Sequence, residues 1–64
     1  MSATRLLIVT GETIEVAGEL QEIAKQMENA SRSSAGALAW FERSAGGRLA
    51  VNPAHVVLLQ AEDD

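Results

Sequence analysis

The sequence predicts a small α+β domain in which one helix packs on one face of a twisted, mainly antiparallel sheet or half-open barrel. Two short β-branched runs stand near the N-terminus, an apolar stripe with helical spacing follows them, and further β-compatible runs fill the C-terminal part. The predicted order is therefore β-β-α-β-β-β. We expect one domain, residues 1–64, whose ends at residues 1–3 and 61–64 fray.

The first two predicted strands, residues 4–10 and 13–16, form a hairpin. Gly11 and Glu12 separate them, and a two-residue connection that begins with glycine favours a type II′ or I′ turn. The second strand alternates apolar and polar residues, so one of its faces would be wet. Such a strand suits the edge of a sheet.

A helix is predicted from about residue 18 to residue 31. Apolar residues recur there at spacings of four, three, four and three, which places them on a single helical stripe. The stripe consists of Val16, Leu20, Ile23, Met27 and Ala30. Because the stripe is narrow, the helix can cover only one face of a small sheet. Residues 31–36, which are rich in serine and glycine, predict a solvated loop rather than an anion site.

Three more strands are predicted at residues 37–43, 48–51 and 56–60. Residues 44–47 end in two adjacent glycines, which suits a hairpin loop. Pro53 breaks the chain between the last two strands, because proline cannot donate a ladder hydrogen bond. The fifth strand is apolar on both faces, so we expect it to be central and to close against the first strand.

The composition limits the stability of a monomer. The chain has 64 residues, no cysteine and a lone His55, and it is 47% hydrophobic but only 3% aromatic. Small side chains bury little apolar area, and a chain without a disulfide or a metal cluster is commonly stabilised by self-association. We therefore expect a homo-oligomer, with another protein as the alternative partner, and no metal or other cofactor.

The charge and hydropathy patterns bear on partners and location. The formal net charge is −4, from nine acidic and five basic residues, which repels phosphate backbones at long range and argues against nucleic acid as a partner. No apolar run approaches the roughly 18 residues that a membrane-spanning helix needs, and the N-terminus lacks a cleaved-signal pattern. We expect a cytoplasmic protein that has no contact with a membrane.

The residues that could carry catalysis are few. His55 titrates near neutrality, but a general base needs a nucleophile or an orienting carboxylate, and the sequence assigns neither to it. The serines fall in predicted loops and in no nucleophile-elbow pattern. We expect a protein that is not an enzyme, with no catalytic residues, and interpret His55 as a corner residue.

Trp40 and Phe41 are adjacent, so in a strand they point to opposite faces. One ring can fill the core beneath the helix, and a second subunit could cover the other. The candidate interface on the sheet face opposite the helix consists of Ala39, Phe41, Ala50, Val57 and Leu59. The alternative is that the sheet curls and buries both rings within one monomer. The two-residue period does not decide which ring faces the helix.

A second hypothesis is a basic, aromatic edge that binds single-stranded nucleic acid by base stacking. Its candidate contacts are Arg5, Trp40, Arg43 and Arg48. The alternative interpretation is that the arginines flanking the glycine hairpin pair with Glu42 as ordinary solvated strand ends.

Residues 47–57, Gly-Arg-Leu-Ala-Val-Asn-Pro-Ala-His-Val-Val, carry a resemblance to known proteins. They resemble the closing hairpin of short uncharacterised proteins of high-GC bacteria or their phages, in which Asn-Pro-x-His-Val-Val links two strands. The same segment is similar to the end of short flagellar-operon proteins of the FlbD type, although the predicted helix departs from their pattern. The resemblance implies a strand, a turn and a strand, and no assigned chemistry.

These observations predict a non-enzymatic protein-interaction module that self-associates and acts as an accessory, regulatory or structural subunit in a bacterium or phage. The alternative is a small nucleic-acid-binding regulator that uses the arginine and aromatic residues.

Overall fold

The computed structural model describes residues 2–33 and 37–62 of the chain, and it confirms the predicted α+β class and the order β-β-α-β-β-β. The elements are β1 (Ala3–Ile8), β2 (Thr13–Ala17), α1 (Leu20–Ser33), β3 (Ala39–Glu42), β4 (Arg48–Val51) and β5 (Val56–Glu62), with a 3₁₀ turn at Pro53–His55 before β5. Residues 34–36 of the predicted loop lie outside the described residues. In the described part of the chain, no helix is long and apolar enough to cross a membrane.

The strands form two antiparallel sheets that touch at one point. The first has the order β2-β1-β5 and the second pairs β3 with β4. An isolated antiparallel bridge between Val16 and Arg43 joins them, and the Ser44 N–H donates to the Glu15 carbonyl at 3.2 Å beside it. Together the two sheets therefore form a half-open arrangement that does not close into a barrel.

The prediction that β5 is central is wrong, because β1 occupies the middle of its sheet. Leu6 pairs with Ile14 of β2 on one side and with Leu59 of β5 on the other. The prediction that the fifth strand closes against the first is confirmed. A strand that is apolar on both faces can lie at an edge when its outward side chains stay exposed, as those of Val57 and Leu58 do.

The core lies between α1 and the inner faces of both sheets. Its buried apolar members are Leu6, Val16, Ile23, Met27, Ala39, Phe41 and Val51. Ile23 and Met27 belong to the predicted helical stripe, and Ala30 packs against the core from its edge. Burial of apolar surface stabilises at about 25 cal/mol per Å², so this one cluster carries most of the hydrophobic stabilisation.

A corner at Gly18 joins the sheet to the helix. Thr4 is a fully buried polar residue, and its hydroxyl donates to the Gly18 carbonyl at 3.0 Å, while the Gly18 N–H donates to the Ser2 carbonyl at 3.1 Å. Gly18 has φ +125°, which a helical residue cannot adopt. The helix therefore begins at Leu20 rather than at residue 18.

Several other elements begin or end at residues different from the predicted ones. The first hairpin has a longer loop, residues 9–12, in which the Ile8 N–H donates to the Glu12 carbonyl at 2.9 Å, so the predicted two-residue turn is wrong. The helix continues to Ser33, whose hydroxyl donates back to the Ala30 carbonyl at 3.0 Å. Ala3 and Glu62 pair with each other in the ladder between β1 and β5, and the fraying of residues 1–3 and 61–64 stays a prediction.

Replacement of Gly18 tests the importance of the corner. Gly18→Ala places a Cβ 3.1 Å from the Ile23 Cδ1 atom at a positive φ, and we expect it to lower the free energy of unfolding by about 2 kcal/mol or more. Gly46→Ala is the matched control, because φ there is +105° but no atom lies within 4 Å of the added Cβ. Urea denaturation followed by circular dichroism measures both variants. Equal losses would show that the Ile23 contact contributes nothing.

Candidate functional site

The structure decides which aromatic ring belongs to the core. Phe41 is 6% exposed and packs in the cluster under α1, whereas Trp40 is 59% exposed on the opposite face of β3. The Arg48 guanidinium of β4 lies over the Trp40 ring, with 5.6 Å between its Cζ atom and the ring centroid. The alternative in which the monomer buries both rings is therefore wrong.

The predicted interface residues do not share one exposed face. Ala39 and Phe41 are core residues beneath the helix, which corrects their predicted position on the uncovered side of the sheet. Ala50 and Leu59 are half-buried, and Val57 alone of the five is exposed. The candidate interface placed Ala39 and Phe41 on the outer face of β3, although the two-residue period left open which ring faces the helix, because alternation fixes which residues share a face but not which face the helix covers.

The predicted nucleic-acid contacts are divided between the two sheets. Arg5 lies on β1 and forms an ion pair with Glu62, with 2.9 Å between Nη2 and Oε2. Trp40 and Arg48 lie on the β3–β4 hairpin, while Arg43 forms the bridge to Val16. Only Trp40 and Arg48 are brought into contact. Glu42 pairs with Arg48 in the strand register, so a carboxylate accompanies this guanidinium.

One candidate interaction surface lies at one end of the three-stranded sheet and includes part of the edge strand β5. Val9, Val57 and Leu58 are exposed large apolar residues at the end of the sheet where β1 finishes and β5 begins. The Val9 N–H donates to the His55 carbonyl at 2.7 Å, and Leu58 pairs with Leu7. We call Val9, Val57 and Leu58 the β5 edge patch. The register shift between Leu7 and Ile8 leaves Val57 without an opposite residue on β1.

A second candidate surface is an open cleft where the Gly18 corner, α1 and the edge of β3 meet. Ile23 and Phe41, both core residues, lie at its base. Its exposed walls are polar and aromatic, and we call this the Trp40 cleft. Besides the two base residues it is lined by Ala17, Gly18, Glu22, Gln26, Trp40, Glu42 and Arg48.

The sequence offered little sign of the Trp40 cleft. Glu22 and Gln26 belong to the polar side of the helix, where sequence periodicity predicts only contact with solvent. Gly18 was included in the predicted helix, although a glycine at the first position of such a pattern is a possible turn residue. The chain turns at Gly18 from β2 into α1, and this turn brings residues of β2 and of α1 to the cleft.

The side chains that could hold a metal ion lie apart in the described residues. Within residues 2–33 and 37–62, no three His, Cys, Asp or Glu side chains come close enough to hold a metal ion. His55 ends the 3₁₀ turn and is exposed, and its backbone N–H donates to the Asn52 carbonyl at 2.9 Å. The Asn52 side chain accepts from the Ala54 N–H at 2.9 Å, which fixes the corner that was predicted around Pro53.

Stability measurements can check the assignment of the two rings. We expect Phe41→Ala to cost about 3–5 kcal/mol of unfolding free energy, since it empties a core position. Trp40→Ala should cost about 1 kcal/mol or less, because it removes an exposed ring and one stacked guanidinium. Urea unfolding curves of both variants provide the comparison. A larger loss for Trp40→Ala would contradict the observed orientation of β3.

Comparison of the chain with protein-family models, with curated proteins and with solved structures finds no match. The resemblance of residues 47–57 to short bacterial and phage proteins therefore stays a prediction, and the function has to be argued from the two surfaces.

Proposed function

We propose that this chain is a non-enzymatic protein-interaction module that self-associates through the free edge of β5. The observation that carries the proposal is the long, unprotected edge strand. β5 has seven residues and pairs with β1 along one edge, and no described strand pairs with its other edge. Such an edge offers a row of backbone donors and acceptors to a further strand.

The composition of β5 supports pairing rather than protection. In natural proteins, edge strands are commonly protected against pairing with another chain by proline, by lysine or by inward-pointing charges. β5 contains no proline and no basic residue, and its one charged residue, Glu62, stands at its end in an ion pair with Arg5. The exposed side chains of Val57 and Leu58 add apolar area that a partner would remove from water.

The partner that fits this edge is a second copy of the chain. Two β5 strands paired antiparallel about a two-fold axis would extend the sheet from three strands to six. In that arrangement Glu62 of one copy lies opposite the start of the other copy's β5. The two carboxylates then stay about 20 Å apart, the length of seven extended residues, so no like charges oppose each other.

The proposed role follows from this assembly. A self-associating domain of this size serves as an accessory, regulatory or structural subunit, and we place it in the cytoplasm on the charge and hydropathy patterns of its sequence. A small nucleic-acid-binding regulator is the second candidate, favoured by the exposed Trp40 ring with Arg48 over it. It ranks below self-association because Arg5 is joined to Glu62 and Glu42 faces Arg48.

The oligomeric state tests the proposal. We expect the protein to be dimeric at high concentration in size-exclusion chromatography with light scattering, and Leu58→Lys to shift it to the monomer by placing a charge in the β5 edge patch. Leu38→Lys is the matched control, because Leu38 is 48% exposed and Leu58 is 46% exposed, but Leu38 precedes β3 in the other sheet. A strictly monomeric parent protein would refute self-association. Equal effects of Leu58→Lys and Leu38→Lys on the oligomeric state would refute the assignment of the interface to the β5 edge.

A further inference from the structure

The Trp40 cleft exists because the two sheets separate beyond a single bridge. β2 and β3 meet at Val16 and Arg43, and in residues 2–33 and 37–62 no ladder continues from there toward Gly18 and Trp40. Gly18 turns β2 away into the helix at that point. The separated strands leave a slot whose base is the apolar core.

One wall of the slot is the edge of a strand. β3 pairs with β4 along its whole length, from Ala39 opposite Val51 to Glu42 opposite Arg48. No described strand pairs with Ala39–Glu42 along the edge that faces away from β4. An extended segment can therefore add alongside β3 by backbone hydrogen bonds, with alternate side chains directed into the cleft.

The side chains at the rim select for a cation. Glu22 of α1 and Glu42 of β3 contribute two carboxylates, and Arg48, which lies over the Trp40 ring and opposite Glu42 in the register, contributes one guanidinium, so the lining keeps a net charge of −1. The surrounding chain has a net charge of −4 and adds to the attraction for a positive ligand. An exposed tryptophan beside carboxylates suits the long apolar stem and charged head of lysine or arginine.

From this geometry we propose that the Trp40 cleft docks an extended segment of a partner protein that carries a lysine or an arginine. The backbone of the segment pairs with the free edge of β3, and its basic side chain lies against Trp40 with its charge toward Glu22 and Glu42. The β3 edge that would pair with the segment and the β5 edge lie in different sheets. Binding in the cleft is therefore independent of self-association, and either property can fail without the other.

A blocked peptide of alternating lysine and valine residues is a direct probe. Trp40 is the only tryptophan of the chain, so its intrinsic fluorescence reports on the cleft itself. We expect a saturable change in Trp40 emission with this peptide, and none with the matched peptide of alternating glutamate and valine. Binding should weaken as salt is raised, because part of the attraction is between exposed charges.

Variants locate the binding site, with fluorescence anisotropy of the labelled peptide as the readout. We expect Glu42→Lys to weaken binding about tenfold, since it opposes like charges in the cleft. Glu12→Lys is the matched control: it changes the net charge equally but lies in the loop between β1 and β2, and it should alter affinity less than about twofold. Trp40→Ala should weaken binding about tenfold by removing the ring.

Three outcomes would overturn the proposal. The first is the absence of binding by the basic peptide at low salt. The second is an equal response to the acidic peptide or equal losses in Glu42→Lys and Glu12→Lys, which would show that long-range charge alone is at work. The third is preferential binding of single-stranded oligothymidylate with the same Trp40 response, which would assign the cleft to nucleic acid.

Discussion

The contact between Thr4 and Gly18 is the constraint on which the arrangement of sheet and helix depends. Thr4 lies in the central strand, and its buried hydroxyl satisfies the carbonyl of the residue where β2 ends. A buried hydroxyl without a partner is costly, so this hydrogen bond orients the corner as well as stabilising it. The positive φ of Gly18 and its close approach to Ile23 then set the direction in which α1 leaves the sheet. Because α1 supplies Ile23 and Met27 to the core, the corner also determines which sheet faces are covered.

The same corner explains why strand edges stay open to a partner. A helix of 14 residues covers the inner side of the bent sheet but does not close the space beside β3. Four strands, β2, β5, β3 and β4, therefore lie at sheet edges, and the edges of β5 and β3 are the two considered above. A small chain with few large side chains can gain stability when a partner covers such an edge. Both proposed interactions use such edges, one with a second copy and one with a basic segment.

Particular residues show how far sequence reasoning reaches and where it stops. Local periodicity located the helical stripe with Ile23 and Met27 and the alternation of β3, since each is set by the geometry of one element. It could not tell that Phe41 faces the core and Trp40 faces solvent, because both orientations have the same period. The apolar run of β5 was assigned to the middle of the sheet, whereas β1, which pairs with both β2 and β5, took that position. Strand order depends on which partners compete for each edge, and local composition does not record that competition.

The sequence alone determined the class, the element order and the corner at Pro53, because turn residues and apolar spacing act over a few neighbouring positions. The tertiary structure decided everything that depends on contacts between distant segments. It made Thr4 a buried hydrogen-bond donor, changed Gly18 from a helical position into the link between layers, and gathered Glu22, Glu42 and Trp40 at one cleft. These residues are far apart in the chain, and only the packing of α1 against both sheets brings them together.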